Sequence, residues 1–204
     1  MQIVLPFSGS IQQYNAKIAS DPDRYRPKSC PQCSAQCPLR AHGFYTRTLV
    51  EGAFNGRIRV RRYLCCLCRR TVSQLPDFAL AYLRFGVSLI GLFLVARLLK
   101  GQTLKDSGAA AGQPQMPYQR GQFWVRRFRK QAESLCAALA TWTAVKPAPN
   151  FLIRALRMLE SIGWIRAHRR LFSHLRMHLL GWPPFLAPDG RRRSFLAASP
   201  SPGV

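Results

Sequence analysis

The sequence predicts an α+β fold: a small N-terminal four-cysteine zinc ribbon, three-stranded and antiparallel, followed by a mainly α-helical helix-turn-helix region. Three observations predict it. Two CxxC knuckles, Cys30-Pro31-Gln32-Cys33 and Cys65-Cys66-Leu67-Cys68, are separated by 31 residues, and four thiolates are what a tetrahedral structural zinc takes. The stretch between them is β-prone, with Phe44-Tyr45-Thr46-Arg47 and Ile58-Arg59-Val60-Arg61-Arg62-Tyr63-Leu64 flanking Gly52, Asn55 and Gly56. Beyond the second knuckle, a short capped segment, a Gly-containing turn and an aromatic, Arg-rich helix follow in the order of a helix-turn-helix.

Residues 1–28 read as a lead-in, punctuated by Asp21-Pro22-Asp23 and Pro27 and without strong periodicity. Residues 29–76 read as the ribbon. Its metal ligands are assigned as Cys30, Cys33, Cys65 and Cys68, with one structural Zn2+ as cofactor. Cys37 and Cys66 are bystanders once four ligands are counted, and His42 belongs to the hairpin surface. A ribbon this small buries too little apolar area to fold alone, so metal binding supplies folding free energy. Arg69-Arg70-Thr71-Val72-Ser73 is the third strand. Arg57, Arg59 and Arg61 alternate with Ile58 and Val60, and a period of two puts the three arginines on one face. That face suits phosphate contacts, or a solvated edge strand guarded by charge.

Residues 82–145 read as the helical domain. Val87 to Lys100 is a densely apolar helix with Ser88 as a cap and Gly101 past its end. Thr103 caps a short helix, Gly112 fits the turn, and Pro114 and Pro117 break helical structure before a new helix begins at Tyr118. In helix-turn-helix geometry Tyr118, Gln119, Arg120 and Gln122 would face base edges, while Arg126, Arg127, Arg129 and Lys130 would meet backbone phosphate. Phe123, Trp124 or Val125, and Phe128 would anchor the helix. Residues 150–180 are a basic amphipathic helix broken at Gly163. Within it His174 and His178 sit four apart, a permitted metal spacing that lacks a third ligand. Residues 181–204, with Arg191-Arg192-Arg193 among prolines, read as a disordered basic tail.

Charge narrows the partner. The chain carries 31 Lys+Arg against 8 Asp+Glu, a net charge of +23, and its arginines outnumber its lysines 25 to 6. So one-sided a balance points to a polyanion, and Arg suits phosphate and base edges by its planar fork. The longest apolar run, 85–96, has too few residues for a membrane span, which needs about 20. No secretory signal is legible at the N-terminus. The expectation is a cytoplasmic, nucleoid-associated chain without a membrane partner.

The string Cys30-Pro31-Gln32-Cys33, His42-Gly43-Phe44-Tyr45, the strand from Arg57 to Tyr63, Cys65-x-x-Cys68-x-Arg70-Thr71, Leu75-Pro76 and a helix-turn-helix resembles the zinc-ribbon start of bacterial insertion-sequence transposases and their standalone DNA-binding proteins. The resemblance covers residues 29–131. It implies that ribbon and helix-turn-helix together recognise element or target DNA, with Cys30, Cys33, Cys65 and Cys68 as zinc ligands. An acidic-triad transposase needs three carboxylates around two Mg2+ ions, and no strand–helix alternation surrounds the few acidic residues here. The expectation is a non-enzymatic DNA-binding protein whose candidate partners are DNA, a transposase catalytic subunit on another chain, and a second copy of itself. Three alternatives stay open: an RNA-binding or ribosome-associated zinc-ribbon protein, a transposase fragment that cuts only with a partner, and a protein-interaction module.

Overall fold

The structure, a computed structural model, describes residues 1–36, 39–144 and 147–182. Cys37 and the run Arg191–Arg193, with the rest of the expected tail from 183 onward, lie outside the described residues. Among the described residues the chain is α+β, with one four-stranded sheet and six helices.

The sheet departs from the three-stranded expectation. Strands β2 (Arg40–Glu51), β3 (Phe54–Leu64) and β4 (Thr71–Pro76) form the antiparallel set, and β1 (Gln2–Leu5) adds a parallel strand on β4, giving the order β1-β4-β3-β2. The lead-in is thus part of the sheet. It also supplies helix α1 (Ile11–Ser20), opened by a reciprocal capping box between Ser10 and Gln13. β4 pairs only with residues 61–64 of β3, so the earlier carbonyls of that edge need other partners. Tyr14 Oη donates to the carbonyl of Arg59 and Asn15 Nδ2 to that of Arg57. α1 covers the open edge, with Ile11, Tyr14 and Ile18 packed against Ile58, Val60 and Leu49.

Helices α2 (Val87–Leu98), α3 (Leu104–Ala110), α4 (Tyr118–Leu139), α5 (Phe151–Ile162) and α6 (Trp164–Leu175) build a second core. Trp124 is its centre, fully buried and edge-on to Phe85 and Phe93 at ring distances of 5.0 and 5.2 Å. Helices approach closely where the sequence has glycine. A Cβ on Gly91 of α2 would lie 2.6 Å from the Trp164 ring, and one on Gly121 of α4 would lie 2.8 Å from Phe93. The break at Gly163 is present, at φ +88, between α5 and α6. α6 ends at Leu175, so His178 lies beyond the helix and does not share a face with His174.

Ser88 does not cap α2. The carboxylate of Glu51, at the end of β2, accepts from the amides of Ser88 (3.1 Å) and Leu89 (3.4 Å) instead. A side chain on the sheet therefore satisfies the orphan donors of the first core helix and ties the two layers together. Backbone bonds between Val50 and residues 84 and 86 reinforce the junction.

Candidate metal centre and nucleic-acid interface

The two knuckles share one backbone design. In the first, the amide of Ser34 donates to the carbonyl of Cys30 and the amide of Cys30 to that of Ala35; in the second, Arg69 donates to Cys65 and Cys65 to Arg70. Each turn closes through a left-handed residue, Ser34 at φ 58 and Arg69 at φ 57. These turns aim Cys30, Cys33, Cys65 and Cys68 at a common point, with all four sulfurs within 4.8 Å of one another. Across the knuckles, Cys30 and Cys68 sulfurs are 3.7 Å apart and Cys33 and Cys65 sulfurs 3.8 Å apart. A tetrahedron whose arms are about 2.3 Å has an edge of about 3.8 Å, so the spacing fits four thiolates around one ion.

The electrostatics fit as well. Amides of Cys68 and Leu67 point at the Cys65 sulfur and hold its thiol down to about 6. Cys68 has the amide of Arg70 beside it, yet burial and its three sulfur neighbours push it up to about 11. Four thiols this close cannot all ionise unless a cation offsets the charge, and a bound metal ion would do so. Cys30, Cys33, Cys65 and Cys68 could therefore hold a metal ion. His42 stands apart, exposed on β2 beside a register shift between Ala41 and Phe44. Cys66 is half-buried in the second knuckle and outside the four-sulfur group. Cys136 is buried in α4, where its thiol donates to the carbonyl of Phe151 and burial raises its pKa.

The expected arginine face separates into two parts. Arg57 and Arg59 are exposed, and the Arg59 guanidinium lies 4.1 Å from the Phe44 ring centre. Arg61 is only 6% exposed; its Nε and Nη2 donate to Asp23 at 2.9 and 2.6 Å and its Nη1 to the carbonyl of Gly43. The lead-in folds back over that end of the strand, so Arg61 is a structural ion pair and is removed from the candidate contact surface.

α3, a turn through Gly112 and α4 follow one another in the chain. Thr103 Oγ1 accepts from the amide of Asp106 to cap α3, and Gly112 takes φ +73. Trp124, Val125 and Phe128 are buried and Phe123 is partly so, which anchors α4 as expected. Tyr118, Gln119, Gln122, Arg126, Arg129 and Lys130 stand exposed along one side of α4. Arg120 and Arg127 project from the opposite flank. Arg120 lies 5.5 Å from the Phe85 ring centre. Arg127 donates through Nε to the carbonyl of Leu180 at 2.7 Å and through Nη2 to that of Gly181 at 2.5 Å, so it tethers the segment after α6 instead of facing a groove. Two arginines that the sequence did not single out join the picture. Arg97, at the end of α2, lines the same cleft as the α4 stripe, and Arg84 donates to Asn55 Oδ1 near the hairpin tip. A lone arginine closing a long apolar run was the signal for Arg97.

Residues 30–112 match the family model described as "Domain of unknown function (DUF6431)". The match runs from the first metal-site cysteine to the glycine after α3; it spans both knuckles, the hairpin, α2 and α3, and stops before α4. No curated protein and no solved structure matches the chain. No helix among the described residues is long and apolar enough to cross a membrane.

Proposed function

We propose that this chain is a non-catalytic DNA-binding protein that docks duplex DNA on α4, with a zinc-ribbon-like sheet held by one structural Zn2+ beside it. The observation that carries the reading is the uncovered stripe on α4: Tyr118, Gln119, Gln122, Arg126, Arg129 and Lys130 are exposed on one side, and none of its cations is in an ion pair among the described residues. Polar side chains near the helix start suit base edges, and the cations one to three turns on suit phosphates. Arg57 and Arg59 on β3 and Arg120 on the flank of α4 add positive charge for the same partner.

The thiolate set favours zinc over harder cations such as Mg2+ or Ca2+. Four protein sulfurs leave no open position for a reacting water, so the ion would hold the knuckles and do no chemistry. Three of the eight carboxylates are engaged in the fold: Asp23 pairs with Arg61, Glu51 caps α2, and Asp77 is buried beside Arg169. A cytoplasmic, nucleoid-associated role in recognising or regulating mobile-element DNA follows from this reading, with a catalytic subunit or a second copy as partner.

The test is competition between labelled duplex DNA and a structured RNA of equal length at about 0.15 M salt, where screening is physiological. Preference for duplex DNA, with one zinc per chain in the purified protein, is the expected result. Preference for the RNA would move the chain to the RNA-binding class, and Mg2+-dependent nicking by the chain alone would end the non-enzyme reading.

A further inference from the structure

The exposed cations of α4 share a cleft with the last turn of α2, which faces them. This open cleft, of about 490 Å3, is lined by the cations Arg97, Arg126, Arg129 and Lys130 and by no carboxylate. Tyr118 and Gln122 bring polar groups to it, and Leu104 and Val125 supply the apolar part of its wall. Four like charges around one cleft repel each other, and none of the four is in an ion pair among the described residues. An anion would offset them.

The geometry is prepared for one. Arg97 Nη1 donates to the carbonyl of Gln102 at 2.7 Å, which fixes the guanidinium before any ligand arrives. The remaining N–H groups of that planar fork then lose little entropy on binding an oxyanion. Arg126 and Lys130 stand one helical turn apart on the facing wall. The cleft thus presents cations from two helices that α3 and its turns hold at fixed separation. Gly121 lets α4 come this close, because a Cβ there would press on Phe93 and, at 3.2 Å, on Leu104.

We infer that this cleft is a clamp for a backbone phosphodiester, with Arg97 as the clamp residue contributed by α2. The clamp rests on the DNA-binding reading above and deepens it. The strand that α4 docks on passes between α2 and α4, so Arg97 contributes register and salt dependence and carries no base preference.

The test measures binding of a random-sequence duplex across a salt series for wild type, Arg97→Gln and Arg97→Lys, with zinc content and urea midpoint recorded for each. One lost phosphate contact lowers the slope of log K against log salt by about 0.9, equivalent to roughly eight-fold weaker binding at 0.1 M salt if the deficit vanishes near 1 M. The expected result is that loss for Arg97→Gln, equal on duplexes of different sequence, with the slope kept by Arg97→Lys. A wild-type slope in folded Arg97→Gln overturns the clamp and leaves the DNA-binding reading standing. If wild type does not bind duplex at all, that reading fails, and inorganic pyrophosphate decides the clamp. A shift of the Arg97 Nε resonance on adding pyrophosphate would assign the cleft to a free phosphorylated ligand, overturning the phosphodiester assignment, and no shift would overturn the clamp altogether.

Discussion

The knuckle turns give the sharpest stability prediction. Ser34 and Arg69 each follow the second cysteine of a knuckle and each sits in the left-handed region, at φ 58 and 57. A side chain there costs about 1–2 kcal/mol, and glycine escapes that cost while giving back roughly 0.5–1 kcal/mol in unfolded-state freedom. The net gain is about 0.5–1 kcal/mol per site, and about 1–2 kcal/mol for the double variant Ser34→Gly/Arg69→Gly if the two turns act independently. For a domain of this size that raises Tm by several degrees. With the proposed zinc in the four-cysteine site, the gain would also appear as tighter zinc binding, about 5- to 30-fold. Competition against a zinc-chelating dye and urea unfolding of the zinc-loaded protein read the two effects. Ser34→Ala is the control, since it keeps the left-handed penalty and gains nothing. Destabilised glycine variants, or equal gains from Ser34→Ala, would refute the conformational account.

Three further predictions follow from the same structure. His168 is fully buried, and His178 is buried against the carbonyl of Ala81; burial holds them down to about 3 and about 4. Unfolded histidines take up protons below about pH 6.5 while the folded ones resist, so their contribution is whole above that pH and declines by roughly 1.4 kcal/mol per pH unit per histidine towards about pH 4. Urea titrations from neutral pH down to about 4.5 should show the decline, and His168→Phe should make it shallower. Glu51→Ala, which strips the amides of Ser88 and Leu89 of their acceptor in a part-buried site, should cost about 2–3 kcal/mol. Glu51→Gln should cost much less in the same denaturation assay, because burial already raises the pKa of Glu51 and the amide keeps an acceptor without the charge. Gly121→Ala should destabilise by about 1–3 kcal/mol in thermal unfolding, since its methyl meets the Phe93 ring at 2.8 Å.

What the sequence revealed was local. Matched CxxC spacing names the four sulfurs, Thr103 and Gly112 punctuate α3, and the proline pair marks the start of α4, because each signal lies within a few residues of its effect. The parts that escaped depend on distant contacts. β1 is four residues long and is a strand only because β4 lies beside it. α1 carried its own start signal, the Ser10-to-Gln13 capping box, which the lead-in reading passed over. Period two correctly placed Arg61 with Arg57 and Arg59, yet could not show that Asp23, 38 residues earlier, would fold over it. Arg127 was likewise an arginine on a basic helix until residues 180 and 181 returned to it. Burial of a charge by a remote segment leaves no mark in the local pattern.

The central claim is that exposed cations on α4 and its neighbours bind duplex DNA through phosphates, and the salt dependence of duplex affinity tests it most directly. With Arg97, Arg126, Arg129 and Lys130 in the cleft and Arg57 and Arg59 on the sheet, four to six phosphate contacts correspond to a slope of log K against log salt of roughly −4 to −5. A slope in that range is the result the account predicts. Affinity that stays flat from about 50 to about 300 mM salt, or no measurable binding at low salt, would contradict it.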